Sequence, residues 1–128
     1  SFALPLSALQ GITELNSLAP IPRAPPSIRG LVSFRGELLV GVELSALLGH
    51  STTGIVDLKR IIALTCPAMK MAILGEKVLS VRSAPRNSFL PEKSRFAFIV
   101  GIDENFFALL DPDLLVAHVQ QLLGQLHE

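Results

Sequence analysis

Four prolines lie within residues 20–26, and no other feature restricts the fold of this chain as strongly. Proline fixes the backbone angle φ and lacks an amide donor, so this segment is predicted to be a stiff, extended loop. The apolar residues 28–34 that follow predict a strand. Arg35 and Gly36 predict a tight turn, because glycine tolerates positive φ, and the period-two alternation of residues 38–44 predicts the return strand.

The remainder of the chain is also predicted to be rich in strands. Apolar segments bounded by turn residues predict strands over residues 2–6, 59–65, 69–74, 78–82, 96–102 and 106–110. Residues 7–15 fit either a strand or a helix, although Gly11 disfavours a long helix. A short helical turn is predicted over residues 45–49, and an exposed loop is predicted over residues 83–94.

A helix is predicted over residues 112–127. Asp111 is a suitable N-cap, and Pro112 suits the first helical position, where no amide donor is needed. Apolar side chains recur at helical spacing on one face of this segment: Leu115, Val119, Leu122, Leu123 and Leu126. We expect this face to pack against the strands or against a partner.

The composition excludes several classes of partner. Lys plus Arg and Asp plus Glu number 11 each, and the basic residues are scattered, so the chain lacks the basic face that nucleic acid binding requires. No apolar run approaches the ~20 residues of a membrane helix, so direct membrane insertion is not expected. Cys66 is the only cysteine, which is typical of a protein in a reducing cytoplasm.

No set of residues has the spacing of a catalytic or metal site. Cys66 precedes a proline at the end of a predicted strand, which is more typical of a structural thiol than of a nucleophile. None of the three histidines has a second ligand at metal-binding spacing: His50, His118 and His127. Glycine motifs that bind phosphate are absent. The sequence therefore predicts no enzyme activity, no metal site and no cofactor.

Five segments together resemble a known family. They are Phe-Ala-Leu-Pro-Leu at residues 2–6, Pro-Arg-Ala-Pro-Pro at 22–26, Ile-Arg-Gly-Leu-Val-Ser-Phe-Arg-Gly at 28–36, Leu-Val-Gly-Val-Glu-Leu at 39–44 and Leu-Leu-Gly at 47–49. In order and spacing they resemble the CheW-like domain of bacterial chemotaxis systems. The second half of the chain matches more loosely, through residues 72–81, Gly101 and residues 109–115.

The resemblance implies a mostly β fold. It implies two five-stranded, SH3-like barrels packed around a shared core, with short helices and the C-terminal helix. Residues 1–128 would form a single CheW-like domain, with one barrel over about residues 1–50 and the other over about residues 55–110. In the family a further strand precedes the position of Phe2, so the first strand is expected to be missing here, and self-association by strand exchange is expected to be possible.

The resemblance also implies a function. It implies a non-enzymatic adaptor that links the cytoplasmic tip of chemoreceptors to the regulatory domain of a histidine autokinase, in cytoplasmic arrays at the inner membrane. Residue by residue, it implies protein-binding roles for Arg35, Gly36, Gly30 and Leu9. Two further protein-binding residues, Val32 and Phe34, are expected on the strand that ends at Arg35, which makes six in all. The family often has a glutamate two residues after Leu9, where this chain has Gly11.

Two other functions stay open at the level of sequence. One is a divergent CheW-like module that serves another assembly, such as polar localisation or twitching-motility signalling, and the departure at Gly11 favours it. The other is a barrel that binds or hydrolyses a small molecule, which would require a deep pocket lined by convergent polar groups.

Overall fold

The computed structural model describes residues 2–48, 59–75, 89–91, 96–103 and 107–124. Within these ranges the chain forms nine strands, two α-helices and one 3₁₀ turn over Leu6–Ala8. The strands are β1 (Phe2–Ala3), β2 (Leu9–Glu14), β3 (Ile28–Phe34), β4 (Glu37–Glu43), β5 (Arg60–Leu64), β6 (Met71–Gly75), β7 (Leu90–Pro91), β8 (Ile99–Ile102) and β9 (Ala108–Leu110). The helices are α1 (Leu44–Leu47) and α2 (Pro112–Gly124).

The first sheet has five strands in the order β2-β5-β6-β4-β3. Strands β3 and β4 form the predicted hairpin, and β4 pairs with β6 in parallel. Arg35 and Gly36 have φ angles of 49° and 77° at the tip of the hairpin. Positive φ at both central residues is the mark of a two-residue type I′ turn, whose twist matches that of the strands it joins. The predicted turn is therefore confirmed.

The second sheet has four strands in the order β1-β9-β8-β7, with β1 parallel to β9. Two details differ from the sequence prediction. The loop predicted over residues 83–94 contains β7, which pairs with β8 through Leu90 and Pro91. The strand predicted to begin at residue 96 begins at Ile99, because Phe96 accepts a hydrogen bond from the Ile99 amide (3.1 Å) and closes a turn before the strand.

The strand predicted over residues 2–6 is also shorter than expected. Only Phe2 and Ala3 pair with β9, and the 3₁₀ turn follows. The ambiguous residues 7–15 contain β2, which pairs with β5. The strand predicted over residues 78–82 lies outside the described residues.

Helix α2 begins as predicted. The Leu114 amide donates a hydrogen bond to Asp111 Oδ1 (3.1 Å), so Asp111 caps the helix ahead of Pro112. Leu115, Val116 and Val119 are fully buried along one face. No helix in the described part of the chain is long and apolar enough to cross a membrane.

A shared core joins the two sheets and α2. It contains residues from the first sheet, from α1, from the turn before β8, from β9 and from α2: Ile28, Val42, Leu44, Leu47, Leu64, Met71, Ile73, Phe98, Leu110, Leu115, Val116 and Val119. A second, smaller cluster lies on the other face of the five-stranded sheet: Val32, Phe34, Leu39, Ile61, Ala63, Ala72 and Leu74. The prediction of a mostly β fold around a shared core, with short helices and a C-terminal helix, is confirmed.

The division of the chain between the sheets differs from the expected barrels of residues 1–50 and 55–110. Strands β5 and β6 belong to the same sheet as β2, β3 and β4, whereas β1 belongs to the sheet of β7, β8 and β9. The reason is the parallel pairing of β4 with β6 and of β1 with β9. In the described residues the second sheet has four strands rather than five.

Candidate protein-interaction site

The tip of the β3–β4 hairpin carries two of the six predicted protein-binding residues. Arg35 and Gly36 are both exposed. A Cβ atom added to Gly36 would meet no atom within 4 Å, so its φ of 77°, and not a lack of space, favours glycine here. Arg35 has no ion-pair partner among the residues that the structure describes. The tip therefore presents, on a two-residue turn, a cation that has no ion-pair partner in the described part of the chain.

Val32 and Phe34 point away from solvent, so their predicted contact with a partner stays a prediction. Val32 is 1% exposed and Phe34 is 6% exposed, and both belong to the second core cluster. The cause is the alternation of side chains along β3, which turns Arg29 and Ser33 outward and Val32 and Phe34 inward. On this strand Arg29 and Ser33 therefore face solvent, whereas Val32 and Phe34 do not.

Gly30 is buried and has a structural role in the packing of β3. Its φ is 146°, and a Cβ atom there would lie 2.3 Å from the carbonyl oxygen of Ala19. Ala19 and Leu31 exchange two backbone hydrogen bonds, of 2.7 and 3.0 Å, at this point. Gly30 therefore allows the segment that enters the proline-rich loop to pack directly on β3.

Leu9 begins β2 and is half-buried opposite Leu64 of β5. A bulge follows it, and the exposed residues of β2 are Gln10, Ile12 and Glu14. Leu9 thus presents only part of its side chain at the surface.

Strands β2 and β3 form the two outer strands of the five-stranded sheet, and the ring of Phe34, at the end of β3, lies against Gly11 of β2. A Cβ atom on Gly11 would lie 2.6 Å from Phe34 Cζ and 3.6 Å from Arg35 Nη2. The Arg35 guanidinium carbon lies 4.9 Å from the centroid of the Phe34 ring, within the range of a cation–π contact. We call Gly11, Phe34 and Arg35 the seam, because they bring β2 and β3 together.

A surface cleft of about 350 Å³ opens beside the seam. It is lined by residues of both strands and of the connection after β2: Ile12, Thr13, Glu14, Asn16, Ser33, Phe34 and Arg35. Sequence reasoning identified Phe34 and Arg35 but missed the others. Side chains alternate between the two faces of a strand, so the sequence of residues 9–14 indicates which of them are exposed. This inference could be made only once the segment was known to be a strand.

The chemistry-bearing residues elsewhere have structural contacts. The Cys66 thiol donates a hydrogen bond to Asp113 Oδ1 (3.5 Å), and His118 packs edge-on against Phe96 and Phe98. His50 and His127 lie outside the described residues. Within the described ranges, no group of three or more His, Cys, Asp or Glu side chains is placed to hold a metal ion.

Comparison with known proteins identifies the family. The sequence model of the CheW-like domain matches residues 1–120. The chain belongs to the CheW-like domain family. A search of curated proteins found no match to this CheW-like domain. Among solved structures it is similar to the scaffolding protein TtCheW from Thermoanaerobacter tengcongensis, with a TM-score of 0.76 and 21% identity over 89% of this chain and 83% of that one.

The CheW-like domain thus carries its six predicted residues in three different environments. Arg35 and Gly36 form the exposed tip, Leu9 lies half-buried on β2, and the rest are buried in or against the core: Gly30, Val32 and Phe34. The seam brings Arg35 next to β2, so the hairpin tip and the exposed face of β2 form one continuous surface around the cleft.

Proposed function

We propose that this CheW-like domain is a non-enzymatic adaptor that couples chemoreceptor tips to the regulatory domain of a histidine autokinase. It would act in the cytoplasm, in receptor arrays at the inner membrane. The observation that carries the proposal is Arg35, whose guanidinium lies at the tip of a two-residue turn and has no ion-pair partner among the described residues of this CheW-like domain. The similarity in fold to a CheW scaffolding protein also supports it.

The surface around Arg35 is suited to binding another protein. Arginine is enriched in interface hot spots, because its planar guanidinium can donate several hydrogen bonds at once. A two-residue turn leaves the backbone little freedom, so little entropy is lost when a partner binds. Ile12 of β2, at 39% exposure, extends this surface with apolar area. We assign the receptor to the hairpin tip and the kinase to the face of β2.

Gly11 favours a variant of this proposal in which the partners differ from those typical of the family. At this position the family often has a glutamate, whereas the seam of this chain leaves no room for a side chain. A kinase that relies on that glutamate would bind this domain weakly. Calorimetry with regulatory domains of both chemotaxis and twitching-motility kinases would distinguish the two assemblies.

Replacing Arg35 with glutamate is expected to weaken binding to a chemoreceptor tip fragment about tenfold or more, because a central hot-spot cation becomes an anion. Isothermal titration calorimetry with the tip fragment measures the effect. Arg23→Glu is the matched control, since Arg23 is also an exposed arginine with a positive φ (63°) and undergoes the same change in charge away from the hairpin tip. Equal affinities of the Arg35→Glu variant and the wild type would contradict the proposal.

Arg35→Asn separates binding from folding. Asparagine tolerates positive φ better than arginine does, so this variant is expected to unfold at the same denaturant concentration as the wild type or a higher one. It lacks the guanidinium and is expected to bind the tip fragment more weakly than the wild type does, but less weakly than Arg35→Glu, because asparagine adds no negative charge. A parallel loss of stability and affinity in this variant would assign Arg35 to the fold alone.

A further inference from the structure

We propose that Phe34 and Gly11 are positioning residues, which hold the guanidinium of Arg35 at one fixed place on the binding surface. The inference rests on the proposed function, because it explains how Arg35 is prepared for a partner. Neither residue is assigned to touch the partner itself. Both act through Arg35.

The Phe34 ring is the surface against which the Arg35 guanidinium packs. It is 6% exposed and belongs to the second core cluster, so its position is fixed by packing within the five-stranded sheet. Arg35 follows it at the turn, with its guanidinium carbon 4.9 Å from the ring centroid. A cation held against a rigid aromatic face has lost part of its rotamer freedom before any partner arrives.

Gly11 leaves the space that the Phe34 ring occupies next to β2. A Cβ atom at residue 11 would lie 2.6 Å from Phe34 Cζ and 3.2 Å from Phe34 Cε2, distances at which the ring would have to move. Arg35 Nη2 is the next nearest atom, at 3.6 Å. Glycine at residue 11 therefore lets the ring and the guanidinium lie directly against β2. A glutamate here would displace the ring and bring a carboxylate to the guanidinium.

The two acidic side chains nearest to the hairpin tip pair with other cations and not with Arg35. Glu14, the acid that lines the same cleft, lies 3.7 Å from Arg60, and Glu37, at the other side of the turn, lies 3.3 Å from Lys70. Among the described residues Arg35 has only its contact with an aromatic ring, which uses the face of the guanidinium and leaves its N–H donors at the edge. The seam thus orients Arg35 without consuming its hydrogen-bonding capacity.

The first test needs no partner. Protons above an aromatic face are shifted upfield, so we expect the side-chain resonances of Arg35 in the NMR spectrum of the wild-type domain to lie upfield of those of a free arginine side chain. Phe34→Leu is expected to abolish this shift, and Gly11→Ala is expected to reduce it. Arg35 resonances at the position of a free side chain in the wild type would overturn the proposal.

The second test measures affinity for the chemoreceptor tip fragment. Phe34→Leu retains Arg35 but removes the aromatic ring that restricts its side chain. The Arg35 side chain must then lose its conformational entropy when the partner binds, so we expect roughly three- to tenfold weaker affinity. Val32→Ala is the matched control, because Val32 lies two residues away in the same core cluster and does not form part of the seam. We expect it to lose stability but to keep wild-type affinity at a temperature where it is folded.

The outcomes separate this inference from the proposed function. A wild-type domain that binds no tip fragment but shows the upfield shift, lost in Phe34→Leu, would contradict the receptor assignment and support the positioning of Arg35. Wild-type binding that is unchanged in Phe34→Leu would overturn the positioning role. Equal losses of affinity in Phe34→Leu and Val32→Ala would also overturn it, since both would then reflect core stability. If Phe34→Leu fails to fold, Gly11→Ala takes its place in both tests.

Discussion

A Gly30→Ala variant is expected to lose about 3 kcal/mol or more of its free energy of unfolding, a large part of what a domain of this size possesses. Two effects combine. The φ of 146° lies in a region that residues with a side chain rarely adopt, and the new methyl group would lie 2.3 Å from the Ala19 carbonyl oxygen and 3.0 Å from Pro20 Cα. Both obstacles are backbone atoms, so no change of rotamer relieves the contact.

Urea unfolding followed by circular dichroism measures the loss. Gly36→Ala is the matched control, because Gly36 has a positive φ of 77° but open space around it. It is expected to cost only about 1 kcal/mol, from backbone strain alone. Equal losses in the two variants would show that the contact between Gly30 and Ala19 contributes nothing and that only the backbone angle matters.

Arg29→Met is expected to cost about 2 kcal/mol, the second-largest loss of stability that we predict. Arg29 Nη1 lies 3.4 Å from Glu43 Oε2, and the Glu43 side chain is only 6% exposed. Removal of one partner of a buried pair leaves a charge without compensation, which typically costs about 3–5 kcal/mol. Arg29 itself is 40% exposed, so solvent screens part of the interaction and the expected loss is smaller.

Lys70→Met is the control for this prediction. Lys70 pairs with Glu37 at a similar distance, 3.3 Å, but both side chains are largely in solvent, at 63% and 47% exposure. Its loss is expected to stay within about 0.5 kcal/mol. Replacing Glu43 with leucine in the Arg29→Met background should recover stability, because no charge is then left buried. A double variant less stable than Arg29→Met would contradict this account.

Much of the local structure was predictable. The proline-rich loop, the hairpin around Arg35 and Gly36 and the start of α2 at Asp111 each depend on residues adjacent in sequence. Proline and glycine restrict or permit backbone angles wherever they occur, and a cap acts within one helical turn. The motifs of residues 2–49 also identified the family, because their order and spacing are a property of the sequence alone.

The errors came from interactions between distant segments. The short strand β7 was missed because Leu90 and Pro91 are in a strand only through their pairing with β8. The burial of Val32 and Phe34 was not predictable, because the hairpin can be recognised without knowing which of its faces the core covers. The single sheet that contains β2 to β6 was not predictable either, because it depends on the parallel pairing of β4 with β6, and pairings of this kind leave no local signal.

The sequence by itself determined that this chain is a mostly β member of the CheW-like family with Arg35 at the tip of a hairpin. Only the tertiary structure decided what surrounds that arginine. In the sequence, Gly11 is a departure from the glutamate that the family often has at this position. In the fold, the missing side chain of Gly11 leaves room for the Phe34 ring, which contacts the Arg35 guanidinium. The physical reason is distance along the chain: backbone preferences act over a few residues, whereas the contact between residues 11 and 34 exists only after the sheet has brought β2 and β3 together.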